Sequence, residues 1–166
     1  MPTKKQILDK ASAARKMERM ALELAEQLQG DRAPVVIIGI RNSGTVIADK
    51  IATLLQTYLP NEIRLLSVSL DKNHPAEVKL SENLNLDGLH IVLTDDVTNS
   101  GRTLLYALKP LLAFHPKSIQ TLVLVERMHK LFPVKPDYVG LSVSTTIQDH
   151  IQVEVADGEV TGAYMN

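Results

Sequence analysis

His90–Thr103 reads His-Ile-Val-Leu-Thr-Asp-Asp-Val-Thr-Asn-Ser-Gly-Arg-Thr, and its reading decides the fold. Ile91-Val92-Leu93 is short, apolar and rich in β-branching, which suits a strand covered on both faces. Asp95 and Asp96 fall where such a strand is expected to end, and open α/β sheets bind ligands at the carboxyl ends of their strands. Thr98-Asn99-Ser100-Gly101 then offers small residues and backbone N–H groups, with Thr103 as the expected N-cap of a helix over Leu104–Phe114. Unpaired amides and the positive end of a helix dipole favour an anion at such a loop. Two carboxylates followed by an anion cradle ask for a ligand with hydroxyls or a metal at one end and a phosphate at the other. A ribose 5-phosphate meets that description.

Working outward, Val35–Ile40 is a second buried strand, followed by the loop Gly39-Ile40-Arg41-Asn42-Ser43-Gly44 and an amphipathic helix over about Thr45–Thr57. Ile63–Leu70 alternates as a strand. Asp71–Leu86 has no clear period, and a segment of that length in a compact domain is usually functional or mobile. Ser118–Val125 and Asp137–Val143 read as further strands. His150–Val155 and Glu159–Tyr164 pair around Asp157-Gly158, a hairpin dipeptide. Upstream, Ile7, Ala11, Ala14, Met17, Ala21, Leu24 and Leu28 repeat at helical spacing, so Lys4–Gln29 reads as one helix ended by Gly30. Its apolar stripe is expected to pack on the sheet or, alternatively, on a second subunit. Strands alternating with helices predict a single α/β domain over 1–166, with a mostly parallel central sheet flanked by helices and a C-terminal antiparallel hairpin.

Composition narrows the class. The 166 residues suffice for one domain with a real core; 45% are apolar and 22% charged, ordinary values for a globular protein. A net charge of −1 advertises no global nucleic-acid field, although Arg15, Lys16, Arg19, His129, Lys130 and His150 are candidates for a local basic face. The absence of cysteine removes disulfides and thiolate metal sites. No apolar run approaches the roughly 20 residues of a membrane span, and the first residues show no apolar signal core, so a cytoplasmic location is expected.

The apolar strand, the acid pair Asp95-Asp96, three residues, Ser100-Gly101, one residue and Thr103 together resemble the signature of the type I phosphoribosyltransferases. Val36–Arg41, Val125–Lys130 with Pro133, and Asp137-Tyr138-Val139-Gly140 extend the resemblance over most of the chain. They point to the branch of bifunctional pyrimidine-operon attenuators and uracil phosphoribosyltransferases. The resemblance implies Mg²⁺, 5-phosphoribosyl 1-diphosphate and a nucleobase, with uracil first, and for some members a messenger RNA and a nucleotide. It also implies a homo-oligomer, with a dimer expected. Asp95 and Asp96 would hold the ribose hydroxyls and the metal, directly or through water. Val97, Thr98, Asn99, Ser100, Gly101, Arg102 and Thr103 would cradle the 5-phosphate, and Arg41 with Asn42, Ser43 and Gly44 would take the pyrophosphate. The 71–86 segment would be a flexible loop closing over the site, with Lys72, His74 and Lys79 as its phosphate-facing groups. The base would lie under Glu126–Pro133 and Val139–Ser144.

Three departures from the family pattern stand out. Arg41-Asn42-Ser43-Gly44 lacks the second cation of the usual Lys-Thr-Arg-Gly loop. Leu70-Asp71-Lys72-Asn73 replaces a Tyr-Arg-Asp-Asp type ending, and Asn99 stands where an aromatic is usual. One lost electrostatic contact to a leaving group costs about 10²–10³ in rate. The open alternatives are therefore a transferase of reduced rate, a transferase for a purine, and a nucleotide-responsive RNA-binding regulator on the same scaffold. A receiver-type fold would also end a strand in aspartate but has no need of Ser100–Thr103.

Overall fold

The computed structural model describes residues 4–75, 77–146 and 149–166; residue 76 of the expected loop lies outside it. Val35–Ile40 (β2), Ile63–Ser69 (β3), Lys79–Leu80 (β4), His90–Thr98 (β5), Ser118–Arg127 (β6) and Tyr138–Val143 (β7) form one sheet in the order β4-β3-β2-β5-β6-β7. All of its pairings are parallel except the short β3–β4 edge. Lys5–Asp9 (β1), Ile151–Ala156 (β8) and Glu159–Met165 (β9) form a separate antiparallel sheet, β1-β9-β8. The mostly parallel sheet and the C-terminal hairpin are as expected. The third strand of the small sheet is not.

That third strand corrects the first helix, which runs over Lys10–Leu28 (α1) and not from Lys4. Lys5–Asp9 pairs with β9, Lys5 opposite Met165 and Asp9 opposite Gly162. Asp9 then caps the helix, its carboxylate accepting the Ser12 N–H at 2.7 Å. The edge of β9 supplies hydrogen bonds that the helical spacing of Ile7 and Ala11 cannot reveal. The apolar stripe of α1 (Met17, Met20, Ala21, Leu24 and Leu28) is buried within the chain's own core, so it offers no face to a second subunit.

Buried residues divide over two layers. Val35 and Ile37 of β2 and Val92 of β5 pack against α1 and the helix Ser43–Tyr58 (α2). Val36, Ile38 and Ile40 of β2 and Ile91 and Leu93 of β5 face the opposite layer with Leu104, Ala107 and Leu111. Every residue of β2 is buried, the pattern of a strand covered on both sides. At the hairpin turn, Asp157 and Gly158 both have positive φ, +53° and +74°, as a two-residue turn between twisted strands requires.

Two further boundaries differ from the sequence reading. β5 continues through Asp95 and Asp96 to Thr98, because β6 runs beside it and pairs Asp95 with Val123 and Thr98 with Glu126. The helix after the central loop is only Arg102–Ala107 (α3), capped by Gly101 and not by Thr103, and is followed by a 3₁₀ turn over Lys109–Ala113. Pro110 has no N–H to give the Tyr106 carbonyl, so the α-helix cannot continue to Phe114. Among the described residues no helix is long and apolar enough to cross a membrane.

Candidate active site

Strand order reverses between β2 and β5. The chain leaves β2 through α2 to β3 on one side, then returns to β5 on the other. The loops after β2 and β5 therefore open side by side at a topological switch point, where open α/β sheets hold ligands.

Close backbone approach holds the two loops together. A Cβ on Gly39 would lie 2.6 Å from Thr45 Cα, so only glycine lets α2 descend onto β2. The Thr94 hydroxyl, fully buried, donates toward the carbonyls of Ile38 (3.3 Å) and Gly44 (3.2 Å), linking β5 to the end of β2 and the start of α2. The Arg41–Asn42 peptide bond is cis.

Asp95 is 1% exposed. Its Oδ1 accepts the Asp96 N–H at 2.9 Å, and Lys72 Nζ stands 3.3 Å from Oδ1 and 3.4 Å from Oδ2. Burial pushes the Asp95 carboxyl well above the usual carboxylate range, and the neighbouring Asp96 adds to this; the Lys72 ammonium opposes both. Asp96 accepts the Val97 N–H at 2.8 Å and lies 3.9 Å from Lys72 Nζ.

Beyond the acids, a cleft of about 330 Å³ is lined by Asp95, Val97–Thr103, Lys72, Asn73 and His150. Gly101, at φ +90°, is part of its lining. A Cβ there would meet the carbonyls of Val134 at 3.2 Å and Phe132 at 3.3 Å. Ser100 O accepts the N–H groups of Leu131 (2.9 Å) and Phe132 (3.0 Å), which fixes the 128–134 segment over the loop. An adjoining cavity of about 490 Å³ shares Asn99 and Ser100 and is completed by Arg127, His129 and Leu131.

The structure thus brings Asp95, Val97, Thr98, Asn99, Ser100, Gly101, Arg102 and Thr103 onto one cleft, with Asp96 beside it. Gly44 packs beneath Asp95, with Ser43 preceding it at the start of α2. Arg41 and Asn42 open instead on a neighbouring groove of about 370 Å³, with Thr45, Leu65–Ser67 and Ser81. Of the loop cations, Lys72 faces the carboxylates, while His74 is exposed and Lys79 pairs with Glu77. Three of the six candidates for a basic face are engaged within the chain. Arg19 pairs with Glu23 and donates to the Val139 and Gly140 carbonyls; Lys130 turns inward to Glu126; His150 lines the cleft.

Three contacts escaped the sequence. Lys72 meets Asp95 across 23 positions, Arg102 Nη2 donates to the Lys72 and Asn73 carbonyls at 3.0 and 3.2 Å, and Glu126 is buried. Glu126 accepts from Ser142 Oγ at 2.9 Å, with Lys130 Nζ 3.3 Å away. The charge of Lys72 at the start of an irregular segment is the local signal the sequence offers for the first of them.

Comparison with known proteins agrees with this fold. The profile of the phosphoribosyl transferase domain matches residues 3–157. A "Bifunctional protein PyrR" of Leuconostoc mesenteroides is 32% identical, covering 95% of this chain and 94% of its own length. Another, from Roseiflexus sp., is 34% identical over 97% and 94%. The crystal structure of a hypoxanthine phosphoribosyltransferase of Trypanosoma cruzi superimposes with a TM-score of 0.76 at 17% identity, covering 84% of this chain and 82% of that one. A ternary substrate complex of the same enzyme, in mutant form, superimposes with a TM-score of 0.77 at 15% identity over 95% and 94%.

Proposed function

We propose a substrate and a division of labour from one premise: the chain belongs to the phosphoribosyltransferase family. It is a pentosyltransferase, and its reaction is transfer of ribose 5-phosphate from 5-phosphoribosyl 1-diphosphate to uracil. The observation that carries it is the single cleft joining the Asp95–Asp96 pair to the Thr98–Thr103 loop. Its two ends suit the two ends of a ribose 5-phosphate.

In the reaction, the bond from the anomeric carbon to the pyrophosphate oxygen breaks and a bond to a base nitrogen forms. The electron pair leaves with the pyrophosphate, and the base nitrogen releases its proton to solvent or to that leaving group. Positive charge develops on the sugar between the two steps. Asp95 and Asp96 oppose it and orient the hydroxyls; the 98–103 backbone holds the 5-phosphate; Arg41 and the 42–44 segment receive the pyrophosphate. Most of the catalysis is positioning and electrostatics. The base occupies the cavity bounded by Arg127, His129 and Leu131, which adjoins the ribose end of the cleft.

Mg²⁺ fits the donor set. The two carboxylates are adjacent, and among the described residues no three acids or histidines gather into a complete metal cage. A hard cation that keeps waters and takes its other oxygens from substrate matches that supply. Bound there, it would neutralise charge on the diphosphate. A homodimer in the cytoplasm is part of the same reading. The RNA-binding alternative needs one free basic face; Arg19 pairs with Glu23, Lys130 pairs with Glu126 and His150 lines the cleft, which supports catalysis over it.

The test is pyrophosphate release from 5-phosphoribosyl 1-diphosphate and Mg²⁺ with a panel of bases. Release with uracil alone is expected. Release only with a purine would move the base assignment, and none with any base would overturn the catalytic reading.

A further inference from the structure

Lys72 sits where a substrate-bound cation is expected to sit. Its ammonium spans both oxygens of Asp95 and lies 3.9 Å from Asp96 Oδ1. The segment carrying it is held in place from two sides. Arg102 donates to the Lys72 and Asn73 carbonyls, and Asp71 Oδ1 accepts the Asn73 N–H at 2.9 Å. Lys72 is itself 41% exposed on its side chain, so it has solvent to move into.

Two cations compete for this pair. Mg²⁺ binds carboxylate oxygen at about 2.0–2.1 Å and demands near-octahedral space, which an ammonium in front of Asp95 occupies and repels. A phosphate-bearing ligand alters the balance, because its oxygens offer Lys72 an alternative partner within the same cleft. Phosphate is a strong acceptor for a lysine ammonium.

We propose that Lys72 is an exchangeable counter-ion of the Asp95–Asp96 pair, so that the site takes a divalent cation only together with an anionic phosphate group that draws the ammonium away. Free metal is then excluded, and the metal–diphosphate complex is admitted by exchange. The inference rests on the phosphoribosyltransferase reading, but its test does not require turnover.

The test is titration of Mn²⁺, followed by the loss of its free-ion electron paramagnetic resonance signal, with and without 5-phosphoribosyl 1-diphosphate. Wild type, Lys72→Met and Lys79→Met are compared, Lys79 being an exposed cation on the same loop. Circular dichroism checks folding. Without the diphosphate, Lys72→Met is expected to bind Mn²⁺ about five- to tenfold more tightly than wild type, and Lys79→Met within about twofold of it. With the diphosphate, the advantage of Lys72→Met should disappear or reverse. Equal affinity of wild type and Lys72→Met for Mn²⁺ alone would overturn the proposal. So would an equal gain in Lys79→Met, which would reduce the effect to net charge, or an advantage that the diphosphate leaves unchanged. Failure of pyrophosphate release in the wild type would count against the catalytic reading and leave the counter-ion result to be judged by itself.

Discussion

Gly44, in the first turn of α2, packs directly beneath Asp95 of β5. A Cβ at Gly44 would lie 3.0 Å from Asp95 Oδ1 and 3.0 Å from the Thr94 carbonyl. The carbonyl belongs to a central strand paired on both sides, so it cannot yield. Gly44→Ala is therefore expected to displace α2 or the Asp95 carboxylate. Chemical denaturation should show a loss of about 1–3 kcal/mol, and steady-state assay a fall in kcat larger than any change in KM. Wild-type stability and rate in Gly44→Ala would show that the helix start has slack.

Asp95 should set activity against stability. Its carboxyl titrates high because it is buried beside Asp96, so the folded chain holds a proton more tightly than the unfolded chain does. That contribution is complete below the unfolded value, near pH 4, and is lost as pH rises toward the folded value. Asp95→Asn keeps the acceptor for the Asp96 N–H and removes the buried charge. Its Tm at pH 8 is expected to exceed wild type by several degrees, at about 2–4 °C per kcal/mol, while the transfer rate falls about 10²–10³-fold. A lower Tm with unchanged rate would reverse the assignment.

Arg102 should act through the loop it tethers. Its guanidinium reaches the Lys72 and Asn73 carbonyls, a link of two neutral acceptors to one cation. In Arg102→Met, hydrogen exchange at the 71–74 amides should accelerate, with little change in β2 or β5. KM for the diphosphate should rise more than kcat falls. Unchanged exchange would place the loop's anchor elsewhere.

At the opposite end of the sheet, His90 bridges Ser118 Oγ at 2.6 Å and Asp31 Oδ2 at 3.0 Å, and Lys117 Nζ lies 2.6 Å from the same Asp31 oxygen. Lys117 first, then the Ala33 N–H and His90, hold the Asp31 carboxyl well below the usual carboxylate range. Stability from this group is present above the unfolded value, near pH 4, and is lost as pH falls further. Urea midpoints of wild type and Asp31→Asn should differ at pH 6, and the gap should begin to narrow as pH falls from 4 toward 3. A constant gap across that range would separate the cluster from acid unfolding.

The sequence by itself determined the α/β class, the two strand–loop units and the hairpin. Each of these is written in neighbouring residues: the unbroken apolar run of Val35–Ile40, the acid pair and glycine at fixed spacing in Asp95–Gly101, and the turn pair Asp157-Gly158. Local period and local φ preference are properties of a short window, so a short window reveals them. Only the tertiary structure decided that Lys5–Asp9 is a strand, that β5 runs on through its acids, and that Lys72 closes on Asp95. The first two depend on the free edges of β9 and β6, which lie far along the chain and supply the hydrogen bonds. The third depends on a buried carboxylate gaining a counter-charge from 23 positions away, a demand that burial creates and that no spacing in the sequence records.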